Sequence, residues 1–484
     1  MGWRSDARLA SRTIEGAAIA MTTGSTTPNK TPPARQLARA ALAVDLGRFD
    51  ADVLAKAKSC MLDFLSCAFE ARHHPWSVQA IGIARAVENG ATIIGTDKLV
   101  SPSDAAFANA VLGHGLVRED MHAASISHHG VVIWPTLLAL SERTAMSGAT
   151  LLSAAIVGYE AGARIGRALL NTDLARLYRP TGLVAPLGAA LAGSRALGLS
   201  EDAATSALSI AANTSSGLNE WPQCGGSEMY FHPGFAAANA VKAIELAEAG
   251  AFASETILDG EAGLFAAFGR RAAPEHIPLF DGEAEIMSVY NKPAPACNFA
   301  QTASQAALRA VAELGSADEV AAILIRVPEA AARYPGCDSK GPYRNALQAK
   351  MSIPFSVAAT LARGALEEDN YAQIARPDIL RLVELTELCS DVQLTAAFPD
   401  KQGAEVSIRL RNGTIICKSL DNVVAATPDD IRARFRKAAT GAIGAARALQ
   451  LERLIDGCEA LSDVSTILAL CRLEPLEQRL RPAS

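Results

Sequence analysis

Aromatic side chains are scarce in this chain, at 5% of residues, while alanine, leucine and glycine are abundant. A core with few large rings is filled best by helices, because small side chains let helix axes come close. The nine cysteines are scattered and odd in number, and none forms a CxxC pair. That argues against a disulfide framework and a structural zinc site, and favours a reducing compartment. Most of them should be small buried hydrophobes. There is no basic stripe either. The formal net charge is -6, so nothing points to nucleic acid, and any cationic site has to be local. The longest apolar stretches, such as residues 151–158, are too short or too interrupted to span a bilayer. Residues 1–30 lack the apolar core of a signal peptide. A cytoplasmic protein without membrane contact is the expectation. Walker loops, GxSxG elbows and HExxH pairs are missing. Gly158 and Gly162 fall within a predicted helix and do not follow a strand, so no dinucleotide site, metal or other cofactor is expected.

What is present is an ordinary globular balance, 50% hydrophobic and 20% charged over 484 residues, enough for two or more domains. Residues 22–33 are rich in Thr, Ser and Pro and read as disordered, so residues 1–34 form a loose arm, with Met21 an alternative start to Met1. From 35 to 287 the apolar spacing is helical. Predicted helices cover 53–71, 106–116, 133–143, 151–170, 182–197, 203–212 and 234–250. The character changes after about Asp281. Residues 321–327, 393–398, 404–410 and 414–418 read as strands, with Asn412 and Gly413 as a hairpin signal and a helix starting near Ser352. Residues 288–420 thus form a smaller α+β lid domain. Residues 421–475 return to helix, opened by Pro428, Asp429 and Asp430. The fold class is mainly α, a large helical domain with an inserted α+β domain. Clefts between two such bodies are where ligands usually sit.

Four segments carry groups able to do chemistry. Four of the eight histidines, His114, His122, His128 and His129, fall beside Glu119 and Asp120 in one short loop, which suits acid–base work near neutral pH or metal binding. The bland alternative is a loop of hydrogen-bonding histidines. Lys292 lies in the proline-rich run 291–298, where it could face the cleft as a carboxylate anchor or proton donor, or simply be a solvated linker lysine. Arg179 precedes a predicted helix and could form a bidentate pair with a carboxylate, or be a surface turn. Residues 225–234 read as a flexible loop whose His232 caps the next helix or enters the site.

Taken in order, these segments resemble the MmgE/PrpD family over most of the chain. Leu62 to Ala68 is similar to its LDxLGCAxAG helix. Ala106 to His114 looks like AAFxNGxxxHxLDxDD, and His128 to Pro135 like HPSxxVxPAxLAL. Gly158 to Arg167 matches GYExxxRxGRA, Pro180 to Gly182 the HPTG turn, and His232 to Ala237 the HxGxAA element. Ile257 to Gly260 matches ILEG, and Ala349 to Phe355 matches AKFSIPY. The resemblance implies a helical domain with a lid, a homodimer, and metal-independent proton transfer next to a carboxylate of a small acid. Dehydration of 2-methylcitrate, decarboxylation of cis-aconitate and epimerisation of iminodisuccinate are its known outcomes.

The departures matter as much. The first acidic residue of LDxDD falls on Val117, leaving Glu119 and Asp120. The histidine of HPTG becomes Arg179, the lysine of a TKxxH loop becomes Met229, and a further histidine becomes Gln301. His128, Lys292 and Tyr343 remain. The leading expectation is therefore a cofactor-independent lyase, a dehydratase or decarboxylase. His128 moves the proton, Asp120 orients it, and Lys292 and Arg179 hold carboxylates. His122, His129, Glu119, Tyr343, Gln301 and Met229 complete the substrate pocket. The alternatives are an epimerase with His128 and Lys292 on opposite walls, a binding protein that kept the fold and lost the chemistry, and, more remotely, a metal hydrolase built on the histidine cluster.

Overall fold

The computed structural model describes residues 30–473. Most of the expected arm, and both Met1 and Met21, lie outside them. The helical body begins within the last residues expected for the arm. A helix opens at Pro33, where proline at the first helical position costs no hydrogen bond, and it buries Ala34, Leu37, Ala38 and Ala41 along one face.

The helical body follows the predicted segments closely, and its boundaries are set by caps. Asp50 accepts the Val53 N–H and starts the helix Ala51–Ala71. Ser101, Ser147 and Ser200 do the same for Pro102–His114, Gly148–Leu169 and Glu201–Asn213. Each such side chain satisfies one of the N–H groups that a helix start leaves unpaired. The helices Gly148–Leu169 and Pro180–Ala196 touch backbone to backbone. A Cβ on Gly188 would lie 2.4 Å from the Gly158 carbonyl oxygen, so only glycine permits that crossing. One buried cluster runs through this body from Ala34 to Val289 and takes in Ile431, Phe435, Leu451 and Ile467 of the last helices. The chain therefore leaves the helical body and returns to it.

A second buried cluster belongs to the α+β part. Its four-stranded sheet has the order Thr386–Ser390, Val320–Val327, Ala404–Leu410, Ile415–Leu420, the first pair parallel and the others antiparallel. The hairpin forms at Asn412 and Gly413, and only Gly413 takes positive φ, at 87°. One expected strand is wrong. Residues 392–397 are a helix, because Asp391 caps the Gln393 and Leu394 N–H groups, and the strand beside Val320–Val327 is 386–390 instead. Residues 225–234 are also not a loop: the helix Glu228–Glu248 begins after Ser227, so His232 lies inside it and caps nothing.

The second cluster includes Val117, Trp221, Met229 and Tyr230 from the helical part. A two-residue antiparallel pairing, Met121 with Tyr290 and His122 with Val289, ties the histidine loop to the start of the α+β part. The histidine loop thus sits where the two cores meet.

Candidate active site

The helix Pro102–His114 delivers His114 at its last turn, and the helix Gly130–Ser141 begins just after His128 and His129. Between them the chain turns tightly. Val117 and Ile126 both adopt left-handed φ, 58° and 48°, a conformation costly for β-branched residues and typical of strained functional loops.

Glu119 is the hub of this loop. Its Oε1 lies 2.5 Å from His114 Nδ1 and 2.9 Å from His128 Nδ1. His128 Nδ1 is also 2.9 Å from the Asp120 carbonyl oxygen. Both of its neighbours are acceptors, so Nδ1 carries the proton and Nε2 keeps its lone pair. His114 obeys the same logic. Its Nδ1–H donates to Glu119, and its Nε2 accepts from the Arg179 guanidinium at 3.0 Å. Burial pushes both imidazoles below their ordinary value, His128 to about 4, with Glu119 opposing. Burial works against ionisation of Glu119, but the two imidazoles outweigh it and hold the carboxyl well below its usual range. The resting state is a carboxylate between two neutral rings. Glu119 Oε2 is buried and has no hydrogen-bond partner.

His128 opens on a narrow cavity of about 20 Å³ lined by Val117, Met121, Ile126, Arg179, Trp221, Met229, Cys297, Asn298, Phe299, Tyr334 and Met351. Arg179 sits just before the helix Pro180–Ala196, its guanidinium 5.3 Å over the Trp221 ring. Met229 Sδ contacts His114 Nε2 at 2.9 Å. Cys297 and Cys337 bring their sulfurs to 3.7 Å, and the Cys337 contact holds the Cys297 thiol below its usual range.

Lys292 stands behind this wall. It is fully buried and is not among the lining residues. Its Nζ donates to the Val117 carbonyl oxygen at 2.5 Å, and burial lowers it to about 8 while Glu119 opposes. Its segment is pinned from three sides. Asn291 donates to Asp63 at 2.9 Å. Arg434 of the last helices donates to the Lys292 and Pro293 carbonyls. Gln301 donates to the Ala294, Ala296 and Cys297 carbonyls.

Several expected site residues turn elsewhere. Asp120 does not orient His128 through its carboxylate. That group takes the Tyr159 hydroxyl and the Gly130 N–H, and burial raises it to about 7, the Tyr159 bond opposing. Glu119, assigned to substrate, holds the imidazole instead. His122 bonds Ser125 and Glu285, and His129 shares Ser125 at 3.1 Å; these two form a separate buried network. Tyr343 donates to the Ser339 carbonyl within its own loop, and Gln301 is a backbone clasp. Neither lines the cavity. The four histidines thus split into two pairs, and among the described residues no three metal-ligating side chains converge as a metal site would need. Sequence reasoning passed over Trp221, Phe299, Tyr334 and Met351 as site residues. Their only signal was position, Trp221 in a Pro- and Gly-bearing turn and Phe299 directly after the Lys292 run.

Residues 35–276 match the MmgE/PrpD N-terminal domain, and residues 294–458 match the MmgE/PrpD C-terminal domain. The chain belongs to the MmgE/PrpD family. A cis-aconitate decarboxylase-like protein of Aspergillus oryzae is 26% identical over 461 residues, 87% of this chain and 93% of its own. A cis-aconitate decarboxylase of Mus musculus is 27% identical over 401 residues, 78% of this chain and 80% of its own. A 2-methylcitrate dehydratase of Cupriavidus necator is 26% identical, covering 77% and 80%. Set against the MmgE/PrpD pattern, three of this chain's departures, Val117, Arg179 and Met229, fall together on the cavity wall. The fourth, Gln301, supports the segment behind it. No helix among the described residues is long and apolar enough to cross a membrane.

Proposed function

We propose that this MmgE/PrpD chain is a lyase that removes a proton next to the carboxylate of a small acid, with His128 Nε2 as the base. The observation that carries the reading is the tautomer. Two acceptors on Nδ1 leave the Nε2 lone pair of a neutral, cavity-lining imidazole free. A base must be unprotonated at rest, and burial keeps His128 so at neutral pH.

Proton transfer makes an imidazolium beside Glu119, which is already ionised and hydrogen-bonded to it. The same carboxylate therefore orients the base and stabilises its charged form. The substrate carboxylate gathers negative charge as the proton leaves, and the Arg179 guanidinium answers that charge, with the Lys292 ammonium adding positive potential from behind. The protonated His128 then returns its proton to the departing hydroxide, and water leaves. This order of events favours dehydration among the family's reactions, because decarboxylation loses CO2 first and needs a proton donor at rest. An epimerase would need a second acid facing the opposite side of the same carbon. Lys292, the group expected there, lies outside the lining.

Proton NMR in deuterated water, with hydroxy and unsaturated carboxylic acids as substrates, tests the reading. The wild-type chain should form an alkene signal with loss of water. His128→Ala should keep the wild-type circular dichroism and lose about 10²–10⁴-fold in kcat. Near-normal turnover by that variant sinks the assignment.

A further inference from the structure

The charge inventory of the cavity is short. Among the lining residues Arg179 is the one permanent cation. The other buried cations nearby are already engaged. Lys292 donates to the Val117 carbonyl beside the ionised Glu119. Lys350 donates to the Leu116 carbonyl at 3.1 Å and pairs with Glu368 at 2.7 Å. Asn298, the lining amide, has both ends occupied, its Oδ1 by the Tyr290 hydroxyl and its Nδ2 by Gln402. With neutral histidines and the Cys297 thiol protonated, Lys292 balances Glu119 and Arg179 is left over, a net single positive charge.

Two donors on the wall lack partners. Arg179 Nε and Trp221 Nε1 are buried with no hydrogen bond, and the Arg179 guanidinium carbon lies 5.3 Å from the centre of the Trp221 ring. One carboxylate offers two acceptor oxygens, which two adjacent orphan donors suit. The Cys297 thiol and the Tyr334 hydroxyl on this wall are already paired with Cys337 and Asn219, and the rest is thioether, alkyl and ring, from Met121, Ile126, Met229, Phe299 and Met351. A second carboxylate there would be buried without a counter-charge, which proteins avoid.

The geometry points to a monocarboxylate with an apolar body as the substrate class, its single carboxylate seated between Arg179 and Trp221 and its hydrocarbon part against Met229 and Met351. The inference rests on the carboxylic-acid lyase reading above and narrows it. Relatives named for aconitate and methylcitrate act on tricarboxylates. This cavity has a cation for one of the three groups.

The test is calorimetric titration of the full chain with three unreactive saturated probes, pentanoate, glutarate and tricarballylate, which carry one, two and three carboxylates. Pentanoate should bind at least about tenfold tighter than glutarate, with tricarballylate weaker still. Trp221→Phe keeps an aromatic face beside Arg179 and removes the N–H together with the pyrrole half of the indole, so it should weaken pentanoate about 3–10-fold. Glutarate or tricarballylate binding as tightly as pentanoate overturns the substrate class and leaves the lyase reading standing. Binding of pentanoate unchanged in Trp221→Phe overturns the seat. Binding of none of the three overturns the carboxylic-acid reading itself, and this inference with it.

Discussion

At the scale of the residue, Glu119 does what the sequence assigned to Asp120. The two are adjacent and chemically alike, so spacing alone had no means of separating them. Packing separates them. Asp120 is turned into the helical body, where Gly130 lets it approach: a Cβ there would lie 2.4 Å from Asp120 Oδ2 and 2.1 Å from the Tyr159 hydroxyl oxygen. Glu119 faces the two imidazoles. Glu119→Gln keeps an acceptor for the His128 Nδ1–H and removes the charge. The imidazolium formed during turnover loses its stabilising neighbour, so kcat should fall about 10²–10³-fold. Glu119 raises the His128 value in the native protein, so its removal lowers that value further. The acid limb of the kcat/KM profile, near pH 4 in the wild type, should move to lower pH. A loss of rate with an unmoved acid limb would mean that Glu119 only supports the loop.

At the scale of the element, the helices were legible because Ser and Asp caps stand directly before apolar runs of helical period. Asp50, Ser101, Ser147 and Ser200 all cap as their type suggests. The strand placed at 393–398 failed for the same chemistry, since the capping role of Asp391 overrode the apolar content that follows it. Lys292 itself is neither the solvated linker lysine nor the cleft-facing group that its run suggests. The run is a buried segment with several carbonyls fastened by one amide. Gln301→Ala should strip the Ala296 carbonyl and the Ala294 N–H of their partner, while the Ala294 and Cys297 carbonyls keep the Ala296 and Ala300 N–H groups, and cost about 2–4 kcal/mol in urea unfolding. It should also raise KM, because Cys297, Asn298 and Phe299 of the cavity follow directly on that segment. An unchanged urea midpoint would show that other donors replace the amide.

At the scale of the whole molecule, the buried histidines couple stability to pH. Burial lowers six of the eight, His74, His114, His122, His128, His129 and His232. The unfolded chain takes up their protons near the ordinary histidine value of about 6.5, whereas His128 and His232 in the native protein wait until about pH 4. Their stabilising contribution is therefore complete above about 6.5 and is lost as pH falls toward 4. Three carboxyls, the buried Asp63 and Asp120 and the half-buried Glu142, are raised instead and act in the opposite sense, since their native forms gain protons first. Six groups against three leaves a net loss, and Glu119, held low in the native protein, adds to it as its unfolded form protonates. The melting temperature should hold steady near neutral pH and fall steeply between about pH 6 and 4, with net proton uptake on unfolding in calorimetry across buffers of different ionisation enthalpy. His128→Gln keeps a buried polar side chain but cannot titrate, so its acid slope should be shallower by up to about 1.4 kcal/mol per pH unit. An identical slope in that variant would mean that the imidazole is already protonated in the native protein, and a protonated His128 could not serve as the base.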